Sequence, residues 1–474
     1  MSEIELTGFG GRPIRVNTGL FINNDFHPAA GGATLQVENP STGDNLATVS
    51  AAQKEDPRGP RGLADLVERD ADDLASLEAL EAGVLFKESK ALHVTQAAET
   101  LRYFAGWADK ITGQLLSTPQ GPAYTRREPL GVCAAVVPWN APLMITIWKL
   151  GPAIAAGNVL IIKTPELTPL YAQKLASLIR EAGFPPGVLS VLCGYGAVAG
   201  QALAEHPLVK KIAFTGSGPV GRRILAAAAA TNLKKVTLEL GGKGPSIVFA
   251  DADLDNALFW TALGFTANNG QVCAAGSRIY VHARIYDKFL AAMAERLAGA
   301  AQGDPLDEKT TKGPVVSRQQ RDKIAAYIRH AKDSGVRVLT ETGGESDKGH
   351  FVATTAFAEV PDDARIMREE IFGPVASIAS FKTEAEVIEK ANATEYGLAA
   401  AVFTNDVSRA ARVSEAIEAG QVTVNCWGTL HANAPFGGVK ESGFGRDMGE
   451  EALDSWLTTK TVKYFTLPAA DEDK

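Results

Sequence analysis

Short apolar runs alternate with helical stretches through the middle of this chain, and that alternation restricts its fold more than any other feature. Ala134-Ala135-Val136-Val137 precedes a helix and Val159-Leu160-Ile161-Ile162 follows one; Leu189-Ser190-Val191-Leu192 and Lys211-Ile212-Ala213-Phe214 continue the series. Strands separated by crossover helices lie parallel, so the pattern predicts an α/β, doubly wound sheet. A second series begins after Gly242, with Ser246-Ile247-Val248-Phe249, Ser277-Arg278-Ile279-Tyr280-Val281 and Val375-Ala376-Ser377-Ile378. Two α/β units therefore meet between Glu239 and Lys243. A length of 474 residues agrees, being too long for one core. Residues 20–50 read as strands and turns. Residues 63–80 read as a helix with apolar residues at helical spacing and acidic residues outward.

Composition narrows the function. A net charge of −8 leaves no basic excess to neutralise phosphates, which argues against a nucleic-acid partner. Cys133, Cys193, Cys273 and Cys426 are too scattered for a disulfide framework or a zinc site, so no metal is expected and a reducing, cytoplasmic compartment is the simplest reading. The N-terminus has neither the basic region nor the apolar core of a secretory signal. The least charged run, 131–148, contains Pro138, Asn140 and Pro142, which suit a buried strand turning into a loop better than a membrane span.

Three motifs carry chemistry. Gly216-Ser217-Gly218-Pro219-Val220-Gly221 follows a strand and opens a helix, the dinucleotide fingerprint, in which small residues let a pyrophosphate approach the helix N-terminus. A plain reading then makes Glu239 the ribose-binding carboxylate. Asn269-Gly270-Gln271-Val272-Cys273 holds a cysteine that could attack a carbonyl, and Leu238-Glu239-Leu240-Gly241-Gly242-Lys243 holds a carboxylate that could activate water. Taken alone, Cys273 is a packing residue, Glu239 a strand-end residue and the glycines a tight turn.

Together these motifs resemble those of the NAD(P)-dependent aldehyde dehydrogenase superfamily. Pro138-Trp139-Asn140, Lys163-Thr164-Pro165-Glu166, Phe214-Thr215-Gly216-Ser217, Glu370-Ile371-Phe372-Gly373-Pro374, Pro435-Phe436-Gly437-Gly438-Val439-Lys440 and Glu441-Ser442-Gly443-Phe444-Gly445-Arg446 follow in family order. The resemblance implies a Rossmann-like NAD-binding domain (1–110 and 131–241), a catalytic domain (242–441), and a small β oligomerisation arm with the C-terminal tail (111–130 and 457–474). It implies Cys273 as nucleophile, Glu239 as the base for deacylation and Asn140 as oxyanion donor. Lys163 and Glu166, rather than Glu239, would hold the adenosine ribose. A carboxylate there would repel a 2′-phosphate, which favours NAD. Trp139, Gly216, Ser217, Gly221 and Leu240 would line the cofactor, and Glu370 and Phe372 the nicotinamide end. Gly218 stands where the family more often has threonine, so this middle glycine of the fingerprint looks accidental.

By the same match, Ala141, Leu263, Ala267, Gly428 and Leu430 replace larger groups along the substrate tunnel, with Trp148 and Phe436 as apolar walls. A bulky or apolar aldehyde is expected, in a homodimer or homotetramer. Two other readings compete: a relative that releases its thioester to coenzyme A, and a non-catalytic relative. Against the first stands Glu239, which that chemistry does not need. The second arises because, beside the family, about 25 residues, more than a helix of ordinary length, are missing near 55–62.

Overall fold

The computed structural model describes residues 3–465 except 23, 52–61, 345 and 347. The shortened connection at 55–62 lies, apart from Gly62, outside the described residues, as does the acidic C-terminus. Two large sheets and one small one organise the chain. The first has eight strands, with Lys211–Thr215 and Lys235–Glu239 on one side of Val132–Val136, and Val159–Thr164 and Leu189–Cys193 on the other. These five pair in parallel, and numbered by their own chain order they run 3-2-1-4-5, the doubly wound Rossmann arrangement. The chain passes to the second, seven-stranded sheet between Glu239 and Pro245. Leu457–Lys463, Gly121–Pro129 and Leu115–Thr118 form a separate antiparallel sheet of three strands. Its outer residues Leu115, Tyr464 and Phe465 are exposed.

The apolar strands are buried on both faces, as helices packed on either side of a parallel sheet require. Gly221 shows how closely they pack. A Cβ there would stand 2.9 Å from Leu240 Cδ2, so only glycine lets the helix Gly218–Ala230 rest on the adjoining strand.

The helix expected over 63–80 forms as two, Ala64–Arg69 and Ala71–Ala82, divided at Asp70, whose carboxylate is held by Arg69 and Lys174. Its acidic residues do not all point outward. Glu78 and Glu81 are fully buried, because each accepts backbone N–H groups left orphaned at the start of another helix. Glu78 Oε1 accepts from Leu143 N at 2.9 Å, at the head of Pro142–Ala155. Glu81 accepts from Leu170 N and Tyr171 N, at the head of Leu170–Glu181. Neither receiving helix has a side-chain cap of its own. Glu78 Oε2 also takes Ser89 Oγ–H at 2.5 Å and His93 Nδ1 at 2.7 Å, both on a single π-helical turn, Ser89–Val94.

Removing Glu78 strands three buried polar groups at once. Glu78→Ala should therefore destabilise the protein by about 3–5 kcal/mol, and Glu78→Gln by less, since an amide oxygen still accepts from Leu143. Denaturant unfolding of the three proteins measures this, and an alanine variant within about 1 kcal/mol of the parent contradicts it.

Candidate active site

The strand order reverses beside Val132–Val136, where the connections from neighbouring strands leave in opposite directions and open a crevice. Into it come Trp139 and Asn140 after that strand, and Gly216 and Ser217 after Lys211–Thr215. Leu240, Glu370, Phe372, Glu239 and Cys273 complete a cleft of about 700 Å³, open mouth included. Ser217 caps the Gly218–Ala230 helix without a side-chain hydrogen bond; Pro219 has no N–H and the Val220 and Gly221 N–H groups donate to Ser217 O, so the Gly218 N–H is what the helix head offers an anion. At Gly218 a Cβ would meet only the tip of the Arg222 side chain at 3.1 Å. This middle glycine of the fingerprint is not sterically required.

Lys163 and Glu166 stand outside the cleft wall, one strand over, where Lys163 pairs in register with Val136. Lys163 Nζ bonds Glu166 Oε2 at 2.6 Å, and Glu166 Oε1 accepts from Gly196 N. Burial pushes the Glu166 carboxyl up, but the Lys163 charge and these hydrogen bonds outweigh it and hold it below its ordinary range. At the other end, Glu370 accepts from Gly242 N at 2.9 Å. Phe372 is held at φ 59°, a strained conformation for a bulky residue, with Gln320 Nε2 donating to its carbonyl and Trp139 meeting its ring edge-on at 5.3 Å. A helix N-terminus with the Gly218 N–H open, a glycine turn and a half-buried carboxyl at the far end fit a dinucleotide.

Cys273 follows a turn that explains its motif. Asn268 and Asn269 both adopt left-handed backbone, which asparagine tolerates better than most residues. Their side chains hold the turn in place: Asn269 Nδ2 donates to Gly313 O and Pro314 O, and Asn268 Nδ2 to Asn140 O. Gly270 follows at φ 68°, and a Cβ there would lie 2.2 Å from Gly373 O. Asn140 Nδ2 donates to Gln271 O at 2.9 Å, leaving its second N–H for another acceptor. Burial pushes the Cys273 thiol up to about 12, assisted by the charges of Glu370 and Glu239.

Glu239 ends its strand with both carboxyl oxygens buried and unpartnered among the described residues. Burial raises its carboxyl well above the ordinary range, and Asp447 adds to this, while Lys149 and Arg446 oppose it. Lys149 is itself buried and paired with Asp447. A buried carboxyl without a partner is rare enough to call for a function.

A second cavity of about 810 Å³ meets this cleft. Ala141, Trp148, Ala267, Gly428, Leu430 and Phe436 line it, with the Trp148 and Phe436 rings 5.1 Å apart. Cys273 and Asn140 line both cavities. Leu263 is a correction: it faces a separate cavity with Phe259 and Arg296. Helical spacing would stack it under Ala267, but the helix Leu254–Thr266 ends first, and Ala267 has extended backbone (ψ 134°). Sequence reasoning missed Gln320 and Lys323 in the cleft, and Glu88, Leu92 and His93 in the tunnel. None belongs to a motif. They arrive on helices remote in sequence, and no local pattern marks them.

Among the described residues no helix is long and apolar enough to cross a membrane, and no group of three histidine, cysteine or acidic side chains is placed to hold a metal ion. Comparison with known proteins gives a match to the family model described as the aldehyde dehydrogenase family over residues 61–462. An aldehyde dehydrogenase of Alternaria alternata is 50% identical, covering 94% of this chain and 95% of its own. Human retinaldehyde dehydrogenase 3 is 45% identical, covering 95% and 94%. Among solved structures, the NAD+ complex of an aldehyde dehydrogenase from Bacillus cereus superposes with a TM-score of 0.91 at 39% identity, covering 94% of this chain and 96% of that one.

The thiol predicts a pH dependence. Only thiolate is nucleophilic, so alkylation of Cys273 by iodoacetamide should rise about tenfold per pH unit from 7 to 9, far below its titration point. Glu239→Gln removes a like charge and should speed alkylation roughly two- to tenfold at each pH. A slower or unchanged rate in that variant would show that Glu239 does not act on the thiol.

Proposed function

The chain belongs to the aldehyde dehydrogenase family, and we propose that it oxidises a bulky, apolar aldehyde to the carboxylic acid, with NAD as hydride acceptor. The observation that carries this reading is that Cys273 and Asn140 line both the tunnel and the cleft. A carbonyl brought down the tunnel reaches the sulfur where the cleft begins. Trp148, Phe436 and Leu430 supply apolar walls, and Ala141, Ala267 and Gly428 leave width between them.

The Cys273 thiolate adds to the aldehyde carbon and drives the carbonyl electrons onto oxygen. The free N–H of Asn140 and the backbone N–H of Cys273 stabilise that oxyanion; a donor of this kind is typically worth about 3–4 kcal/mol. Bound NAD supplies the acceptor for the hydride that leaves the carbon. What remains is a thioester on Cys273. Glu239 then takes a proton from water, whose oxygen adds to the acyl carbon; the C–S bond breaks and the acid departs. Its raised affinity for protons suits a base working near neutrality. Its unpartnered carboxyl also weighs against release to coenzyme A, which would leave it without a task.

Gly216, Ser217 and the head of the following helix are the groups for the pyrophosphate, with Gly221 acting through close packing. Leu240 and Trp139 line the way, Lys163 and Glu166 would hold the adenosine ribose, and Glu370 and Phe372 the nicotinamide end. The three-stranded sheet, with Leu115, Tyr464 and Phe465 exposed, supports the oligomerisation arm of a homodimer or homotetramer. Four unpaired cysteines accord with a cytoplasmic setting.

Two experiments test the assignment. Cys273→Ala should abolish NADH production, while Glu239→Gln should release a burst of about one NADH per site before slow turnover. Full steady-state activity without the thiol would overturn the mechanism. NAD should be preferred to NADP, and Glu166→Ser should narrow the preference mainly through the Michaelis constant for NADP. Equal efficiency with both cofactors in the parent enzyme would remove the role given to Glu166.

A further inference from the structure

The tunnel is not apolar throughout. Where the N-terminal helices close it, Glu88 and His93 join Leu92 in its lining. His93 is only 3% exposed. Its Nδ1 is fixed by Glu78, which sets the ring orientation, while Nε2 has no hydrogen-bond partner among the described residues. Glu88 accepts from Asn268 N at 3.0 Å through one carboxyl oxygen and bonds nothing else through the other among the described residues. One helical turn beyond His93, and so on the same face, Gln96 donates to Leu430 O while its own Oε1 is buried without a partner. Trp148, in the same wall, has a buried indole N–H with no acceptor. Met144, Ile145, Val272 and Phe436 also line the cavity.

Polar groups without a protein partner in an otherwise apolar lining are free to meet a ligand. Charge selects the ligand. A substrate ammonium paired with Glu88 would lie against His93, whose proton affinity is raised despite its burial because Glu78 holds the ring. A substrate carboxylate directed to His93 would lie against Glu88. A neutral hydroxyl conflicts with neither, since it donates to a carboxylate and accepts from, or donates to, a ring nitrogen in either protonation state. We propose that Glu88 and His93 form a binding point for a hydroxyl on the body of the aldehyde, so that the preferred substrates are apolar aldehydes bearing a hydroxyl away from the reacting carbonyl. Both residues are specificity-determining, and neither takes part in bond making. The proposal rests on the aldehyde-oxidising reading above and narrows it.

Matched aldehydes test it: benzaldehyde against its 3- and 4-hydroxy derivatives, and heptanal against 7-hydroxyheptanal. In the parent enzyme at least one hydroxylated member should exceed its unsubstituted partner about tenfold in kcat/KM, the factor one good hydrogen bond supplies. In His93→Leu that ratio should fall towards one, and His93→Gln, which restores a polar group, should recover part of it. Binding is read separately from turnover in Cys273→Ala, where thermal shifts should be larger with the hydroxylated member than with its partner. Equal efficiency within every pair, or a ratio that survives in His93→Leu, overturns the proposal. If no aldehyde is oxidised, the functional reading fails, and the thermal shifts alone decide the binding point: equal shifts refute it.

Discussion

The active site depends on carboxyls that have been taken out of water to serve backbone N–H groups. Glu78 holds the head of the Pro142–Ala155 helix, and that helix begins two residues after Asn140. Asn140, Ala141, Met144 and Trp148 all take their positions from it. Glu88 does the same for the turn before Cys273 through Asn268 N. An uncapped helix head or a left-handed asparagine pair would each be unfavourable alone. The two carboxyls, carried on Ala71–Ala82 and the short helix Phe86–Glu88, offset that cost and fix the two sides of the site relative to each other.

Burial also sets the chemistry. Cys273 and Glu239 both hold their protons more tightly than in water, and the Glu239 charge adds to the rise at the thiol. The Lys149–Asp447 pair lies beside Glu239 and acts on it with both signs, Asp447 raising its proton affinity and Lys149 lowering it. In the proposed mechanism the thiol ionises where Asn140 and a backbone N–H can meet the oxyanion that follows. Fixed donors in a dry site act more strongly there than they would in water.

The sequence by itself determined whatever is decided locally. Apolar runs of strand length between helices specify parallel, doubly covered strands, and both series are present. Asn268, Asn269 and Gly270 encode their turn because few other residues accept that backbone. Gly216 and Gly221 likewise mark a close approach, and Cys273, Glu239 and Asn140 were legible as chemistry through the motifs around them. Tertiary structure alone decided what depends on distant partners. Glu78 and Glu81 read as outward because a charge prefers water, and only the helix heads that reach them reverse that preference. Leu263 read as tunnel lining by positional match with relatives, whereas it lines a separate cavity on a helix that ends before Ala267. Gln320, Lys323 and His93 carried no signal, since what makes each of them part of a site is a neighbour far away in sequence. A pattern along the chain records how a residue relates to water on average; which buried group it faces is fixed only when the chain closes on itself.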